Sequence, residues 1–367
     1  QWFKWLPLRP MSSNSLGDCL RLTTFGESHG SAVGGILDGV PAGIALDMES
    51  IYHQMARRRP GQSFLSTDRN EEDQPEFLSG IFEGISTGAP IAFLIRNKDV
   101  KSADYDHLKE VFRPGHADYT FQEKFGVRDH RGGGRSSART MAPWVCAGAI
   151  AEQILNSKGI LITAWVSQVG TIELKGSGSW SRVDVDRNAV RCPNPELALE
   201  MESAILEVKK QGDSLGGVIS ARIDGMPVGI GEPQFKKLPA QLAHAMFSIN
   251  AVKGFELGAG FELAAKKGSE ANDAFYASES GIKTKSNQSG GVLGGISNGM
   301  PIEFKVAFKP VSTIGIEQET VNRKGEDVLL EAKGRHDPCV VPRAVPIVEA
   351  MSALVICDLW MMYQARK

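Results

Sequence analysis

Cysteine is scarce: the 367-residue chain has five, Cys19, Cys146, Cys192, Cys339 and Cys357, far apart and with no Cys-x-x-Cys pair. An odd, scattered set gives neither a disulfide framework nor a zinc site, so no metal is expected and a reducing cytoplasm is the expected compartment. Excess charge of either sign is also missing. Lys+Arg total 41 against Asp+Glu 43, a net charge of −2. That balance argues against a protein that coats nucleic acid or an anionic membrane, and any bound anion should be local and small. No apolar run reaches membrane-spanning length. The longest candidate, VPIVEAMSALVICDLWMM at 345–362, carries Glu349 and Asp358 and reads as a buried helix. The opening QWFKWLPLRP lacks the apolar core and small-residue cleavage site of a signal peptide. Residues 1–15 are therefore expected to be an extension outside the fold, which is read as one domain over 16–367.

Glycine, by contrast, is plentiful at 40 residues, and much of it recurs in a motif. GVPAGI (39–44) returns as GMPVGI (225–230), and GIFEGISTGAPIAF (80–93) returns as GVLGGISNGMPIEF (291–304). Two ordered pairs at similar spacing imply one unit used twice, over roughly 20–160 and 205–365. Each Gly-x-Pro sits between β-branched or alternating runs and reads as a hairpin turn with flanking strands. Helical patterns follow at 48–59 and 239–252, and long apolar ones at 138–155 and 342–360. Hairpins imply antiparallel sheets, and nearly all-apolar helices need cover on more than one side. The expected class is α+β, layered, with central long helices between antiparallel sheets and a pseudo-twofold relation between the units.

Several residues could carry chemistry. Ser28 and His29 stand between Gly26 and Gly30 in FGESHG. Neighbours on a strand point to opposite faces, so a direct Ser–His couple is not expected, and no Gly-x-Ser-x-Gly elbow is present. MARRRPG puts Arg57, Arg58 and Arg59 at a helix end, where cations complement the dipole but three exceed what capping needs. FRPGHADYT adds Arg113 and His116. In RDHRGGGRSSAR, Arg128, Arg131, Arg135 and Arg139 surround Gly132–Gly134 and lead into a helix expected to begin near Ser137. A glycine run at a helix start offers free N–H groups to an anion, and arginine adds bidentate forks. It is no Walker loop. The same stretch could belong to an RNA-binding tail, though such tails are long and repetitive. GRHDPCVVPR supplies Arg335, His336, Asp337 and Arg343, with Asp337 also suited to a simple Asp-Pro turn. Asn250, Lys309, Ser312 and Thr313 offer amide, ammonium and hydroxyl groups for a polar heterocycle bearing a phosphate.

Together, GESHGSAVGGILDGVP, GGGRSSARTMAPWVCAGAI and GRHDPCVVPRAVPIVEA resemble the signatures of chorismate synthases. The likeness continues through RRRPG, FRPGHADYTFQEKFG, GDSLGG and SINAVKG and covers the chain from Leu16 onward. The resemblance implies a β-α-β sandwich fold and a homotetramer. It implies a lyase that converts 5-enolpyruvylshikimate 3-phosphate to chorismate by 1,4-anti elimination, using reduced FMN without net redox change. NADPH or an external flavin reductase would supply the electrons; neither nucleic acid nor membrane is a partner. By the same resemblance, Arg58, Arg113, Arg135, Arg139 and Arg335 hold the substrate, with Ser28 in reach. His29 protonates the departing phosphate, His116 keeps the reduced flavin properly protonated, and Asp337 assists proton removal. FMN contacts fall on Arg135, Ser136, Ser137, Asn250, Ala251, Gly294, Lys309, Ser312, Thr313 and Arg335. This chain departs from the family at Phe64, where arginine is frequent, and at Thr140, Pro143 and Trp144.

Overall fold

Apolar alternation builds the first sheet. The computed structural model describes residues 13–66, 71–98, 107–176, 178–279, 281–331 and 337–366. Its first strands are β1 (Ser15–Leu16), β2 (Arg21–Gly26) and β3 (Ala32–Asp38), followed by helix α1 (Met48–Arg58). Then come β4 (Pro75–Phe77), the short arms β5 (Ile81–Phe82) and β6 (Ile85–Ser86), and β7 (Ile91–Arg96). Helices α2 (Asp118–Phe125) and α3 (Ala142–Asn156) complete this half. The strands form an antiparallel sheet in the order β1-β2-β3-β7-β4. Every second residue of β7 (Ile91, Phe93, Ile95) is buried, the period-2 pattern of a half-covered sheet.

The second half begins with β8 (Leu161–Val169), β9 (Ile172–Glu173), the one-turn helix α4 (Arg182–Val185) and α5 (Pro195–Lys210). It continues through β10 (Gly217–Asp224), α6 (Leu238–Ser248), β11 (Val252–Leu257) and the short α7 (Gly268–Ala271). Three hairpins and a long strand follow: β12 (Phe275–Ser278) with β13 (Gly281–Thr284), β14 (Val292–Leu293) with β15 (Ile296–Ser297), β16 (Ile302–Phe308), then β17 (Gln318–Val321) with β18 (Asp327–Leu330). Helix α8 (Val341–Gln364) closes the chain. The main sheet here runs β11-β16-β10-β8-β9, again antiparallel. Its core order β8-β10-β16-β11 parallels β2-β3-β7-β4 of the first.

The two apolar helices join the halves. Helix α3 lies against β2, β3 and β7, helix α8 lies against β8 and β10, and α3 and α8 lie against each other. They meet closely at Gly148, where an added Cβ would stand 2.4 Å from the Cβ of Ala350, so only glycine allows this approach. By length and composition α8 could cross a membrane, but Val341–Leu359 are buried inside the protein except Arg343. Its Glu349 accepts from the Ala164 N–H at 3.1 Å and from Arg57, and Arg182 Nε approaches at 3.6 Å. Asp358 likewise accepts from the backbone N–H groups of Asp18, Cys19 and Leu20 at 2.7–3.0 Å. Both charges of the apparent membrane segment are thus spent on internal structure.

Three expectations need correction. The Gly-x-Pro motifs are not hairpin turns. They end β3 and β10 or lead into β7 and β16, because proline has no N–H to give a partner strand. The tight hairpin turns lie elsewhere, at Glu83–Gly84 (φ 49° and 77°) and Gly294–Gly295 (φ 62° and 96°), where both central residues take positive φ. The helix expected near Ser137 begins at Ala142 after two 3-10 turns, Gly134–Ser136 and Ala138–Met141, with Pro143 in its first turn. The boundary at 15 also moves. Ser15 pairs with Thr23 in the first sheet, and the Thr24 N–H donates to the Asn14 carbonyl at 2.9 Å. Residues 1–12 of the expected extension lie outside the described residues.

Candidate active site

The C-terminal turn of α1 sends neighbouring arginines to different tasks. Arg57 turns to the buried Glu349 and to Asp186, which accepts from Nη2 at 3.2 Å and brings its other oxygen to 2.8 Å from Nε. Arg58, one residue on, is 1% exposed, donates from Nη1 to Asp73 Oδ2 at 2.6 Å and from Nη2 to the Ala138 carbonyl at 2.7 Å. Asp73 takes Arg139 on its other oxygen. Arg139 also donates to Asn97 Oδ1 at 2.7 Å and to the Arg96 carbonyl at 2.9 Å. Burial pulls the Arg58 guanidinium down to about 10, with Asp73 the main opposing influence. Burial pushes the Asp73 carboxyl up, but the two guanidiniums more than offset it and hold it below the usual range.

A second carboxylate organises the opposite wall. Asp118, at the start of α2, accepts from Arg113 Nε at 2.7 Å and Nη2 at 2.9 Å, and forms an ion pair with Arg128 at 2.9 Å. His116 Nδ1 lies 3.0 Å from the same carboxylate. Burial opposes the Asp118 charge, yet the hydrogen bonds from Arg113 and His116 hold its carboxyl far below the ordinary value. Burial moves His116 the other way. Desolvation outweighs the Asp118 contact and Arg113 adds to it, so the imidazole sits below its usual value and is neutral at pH 7.

These walls enclose a cavity of about 400 Å³, within the size range of small-molecule sites. Arg58, Arg113, Arg139, Arg343 and Lys309 line it, and Asp337 is the acidic side chain among the lining residues. Asp337 accepts from Arg343 at the start of α8. His116, Ser136, Ser137, Asn250, Ala251, Ser312 and Thr313 also line the space, beside apolar Met141, Val311 and Val340. Lys309 Nζ donates to the Gly115 carbonyl at 3.0 Å and to Ser312 Oγ, and burial lowers its pKa. Asn250 donates to the Ser136 carbonyl at 2.6 Å, and Ala251 holds φ at 71°, unusual for a residue with a Cβ.

Ser28 and His29 stand just behind the Gly132 backbone. A Cβ on Gly132 would fall 2.3 Å from the His29 ring and 3.2 Å from Ser28 Oγ. The Gly132 carbonyl in turn accepts from Arg113 at 3.4 Å. Ser28 Oγ lies 3.1 Å from His29 Nδ1, so the two do form a couple, contrary to the strand argument. They lie in the turn between β2 and β3, where neighbouring side chains need not diverge.

Not every expected residue reaches the cavity. Arg135 points behind the loop, donating to the Gly26 carbonyl at 3.1 Å and Thr24 Oγ1 at 2.8 Å. Gly294 occupies the β14–β15 turn and is not among the lining residues. Arg335 lies outside the described residues. Phe64, at the atypical position, is 57% exposed. Arg131 pairs with Asp129 in solvent at 2.8 Å. Asp73 and Asp118, which hold the arginines in place, were not singled out in the sequence.

The family model described as chorismate synthase matches residues 20–361. The chorismate synthase of Christiangramia forsetii is 55% identical over 360 residues, 97% of this chain and 100% of its own length. That of Phocaeicola vulgatus is 56% identical over 349 residues, 95% of this chain and 98% of its own. A chorismate synthase crystal structure matches with a TM-score of 0.73 at 32% identity, covering 94% of this chain and 93% of that one.

Proposed function

Because this chain belongs to the chorismate synthase family and catalyses the chorismate-forming step of the shikimate pathway, we propose that the cavity eliminates phosphate from 5-enolpyruvylshikimate 3-phosphate by a 1,4-anti course with reduced FMN. The observation that carries this reading is the convergence of Arg58, Arg113, Arg139, Arg343 and Lys309, from distant parts of the chain, on one space. A ring bearing a phosphate and two carboxylates leaves water only if fixed cations replace its hydration. The arginines supply such charges, and each is held by protein groups before the ligand arrives.

The residues present also suit the flavin. Lys309, Ser312, Thr313, Asn250, Ser136 and Ser137 offer donors along one side, with Met141, Val311 and Val340 as apolar surface. Bound there, reduced FMN would lend the elimination a transient source of electrons, with no net redox change. His116, neutral at pH 7 and with Nδ1 turned to Asp118, leaves Nε2 open to take up and return a proton. His29, coupled to Ser28, is the proton donor to the leaving phosphate. Asp337 is the proton acceptor on the Arg343 side; the resemblance adds Arg135, Gly294 and Arg335 to the contact set, although Arg135 and Gly294 stand back from the cavity lining.

The reading extends to a single domain that includes Asn14 and Ser15 and runs on to 367, built as a β-α-β sandwich from two similar units. The parallel strand orders of the two sheets and the placement of α3 and α8 between them support it. A cytoplasmic homotetramer belongs to the same reading. NADPH oxidation by the purified protein separates self-reduction from supply by an outside reductase. The reaction itself is tested by anaerobic incubation with substrate and photoreduced FMN. Equimolar phosphate and chorismate, formed only with reduced flavin, support it; turnover without flavin refutes it.

A further inference from the structure

We propose that Asp73 is a positioning residue, fixing the Arg58 and Arg139 guanidiniums at one spacing so that both meet the anionic substrate as a pair. The inference rests on the reading that this cavity binds a multiply anionic ring. Asp73 Oδ2 accepts from Arg58 at 2.6 Å, Oδ1 accepts from Arg139, and the side chain has no accessible surface. Both partners line the cavity, yet Asp73 is not among the lining residues. A loop that needed only an anchor would be held by one arginine. Here a single carboxylate spans two cations that the chain separates by more than 80 residues.

The backbone shows that the position is held against its preference. Asp73 sits at φ 54°, a region that costs a residue with a Cβ about 1 kcal/mol or more. The same segment is tied down two residues earlier, where the buried Glu71 carboxylate accepts from the Lys98 N–H at 3.1 Å. Arg58 is faced by Asp73, by Arg139 after the glycine loop, and by Arg343 of α8, which Asp337 holds. Of these, Asp73 is the group whose charge favours the Arg58 cation most directly. Arg58 Nε, moreover, is buried with no hydrogen-bond partner among the described residues, so its orientation depends on Nη1 and Nη2.

The test is calorimetric titration of 5-enolpyruvylshikimate 3-phosphate into the FMN-loaded wild type, Asp73→Asn, Arg139→Gln and the double variant. Asp73→Asn should weaken substrate binding about 30-fold or more while FMN affinity, read by fluorescence quenching, stays within about twofold. The weakening should grow from pH 7 to pH 9, because Arg58 loses its counter-charge. The double variant should bind less weakly than the product of the single effects, since both act on one cluster. It also removes one charge of each sign, so it serves if Asp73→Asn alone does not fold; it should then bind within about tenfold of Arg139→Gln. Substrate affinity unchanged in Asp73→Asn, multiplicative losses, or a flat pH response would overturn the proposal. A wild type that binds substrate but makes no chorismate would refute the reaction and leave the role of Asp73 standing.

Discussion

Arg343 Nε donates to the carbonyl oxygen of Arg58 at 3.4 Å, across 285 residues of chain. This contact ties the last turn of α1 to the first turn of α8, so the cavity lies where elements of the two halves meet. Neither half could assemble the site alone: Arg58, Arg113 and Arg139 come from the first, and Lys309, Asp337 and Arg343 from the second. The consequences can be tested one residue at a time.

Gly132→Ala should disable His29 without unfolding the protein. The new Cβ falls 2.3 Å from the imidazole, and φ at 128° is unfavourable for alanine. The ring can swing away, so the stability loss should be about 1–2 kcal/mol. Turnover should fall about 100-fold, the lower end for loss of a general acid. Steady-state rates alongside a urea melt check this; normal turnover would remove His29 from its role.

Asp118→Asn should lower stability and flatten its acid dependence. A carboxyl held below its unfolded value stabilises fully above about pH 4, and that contribution is lost as pH falls through the folded value. The wild type should therefore lose unfolding free energy steeply below pH 4, and the variant less so. Near pH 7 the variant leaves Arg113 and Arg128 short of a counter-charge, at a cost of about 3 kcal/mol or more. Urea unfolding at pH 7, 5, 4 and 3 measures both effects.

Glu349→Gln should separate structure from chemistry in the arginine run. Glu349 neutralises Arg57 and Arg182 inside the protein, away from the cavity lining. Its loss should cost about 3–5 kcal/mol of stability yet leave kcat of the folded enzyme within about threefold. Thermal unfolding and initial rates at a temperature where the variant is folded provide the comparison.

Much of this arrangement could be read from the residues. The long apolar patterns at 138–155 and 342–360 need cover on several sides, and the helices that form there, Ala142–Asn156 and Val341–Gln364, have it. Arg58, Arg113 and Arg139 stood out because arginine clustered beside glycine and proline in a chain of balanced charge. Asp73 did not, because it lies in NEEDQPEF, where three acidic residues in a row look like a solvated face. Nothing local distinguishes the carboxylate that takes arginine partners 15 and 66 residues away. The Ser28–His29 couple is hidden for a similar reason: alternation along a strand does not govern residues that occupy a turn. Helix α5 does carry local signals, for Asn194 caps it, accepting from Leu197 N–H at 3.0 Å, with Pro195 in its first turn.

The central claim is that particular guanidinium groups, not a diffuse basic surface, grip the substrate. Arg131 and Arg139 belong to the same glycine-arginine stretch, but Arg131 pairs with Asp129 in solvent while Arg139 lines the cavity. Calorimetric titration of 5-enolpyruvylshikimate 3-phosphate into Arg131→Gln and Arg139→Gln is the most direct comparison. The account predicts affinity within about twofold of wild type for the first and a loss of about 100-fold for the second. Equal losses in the two variants, or none in Arg139→Gln, would contradict it.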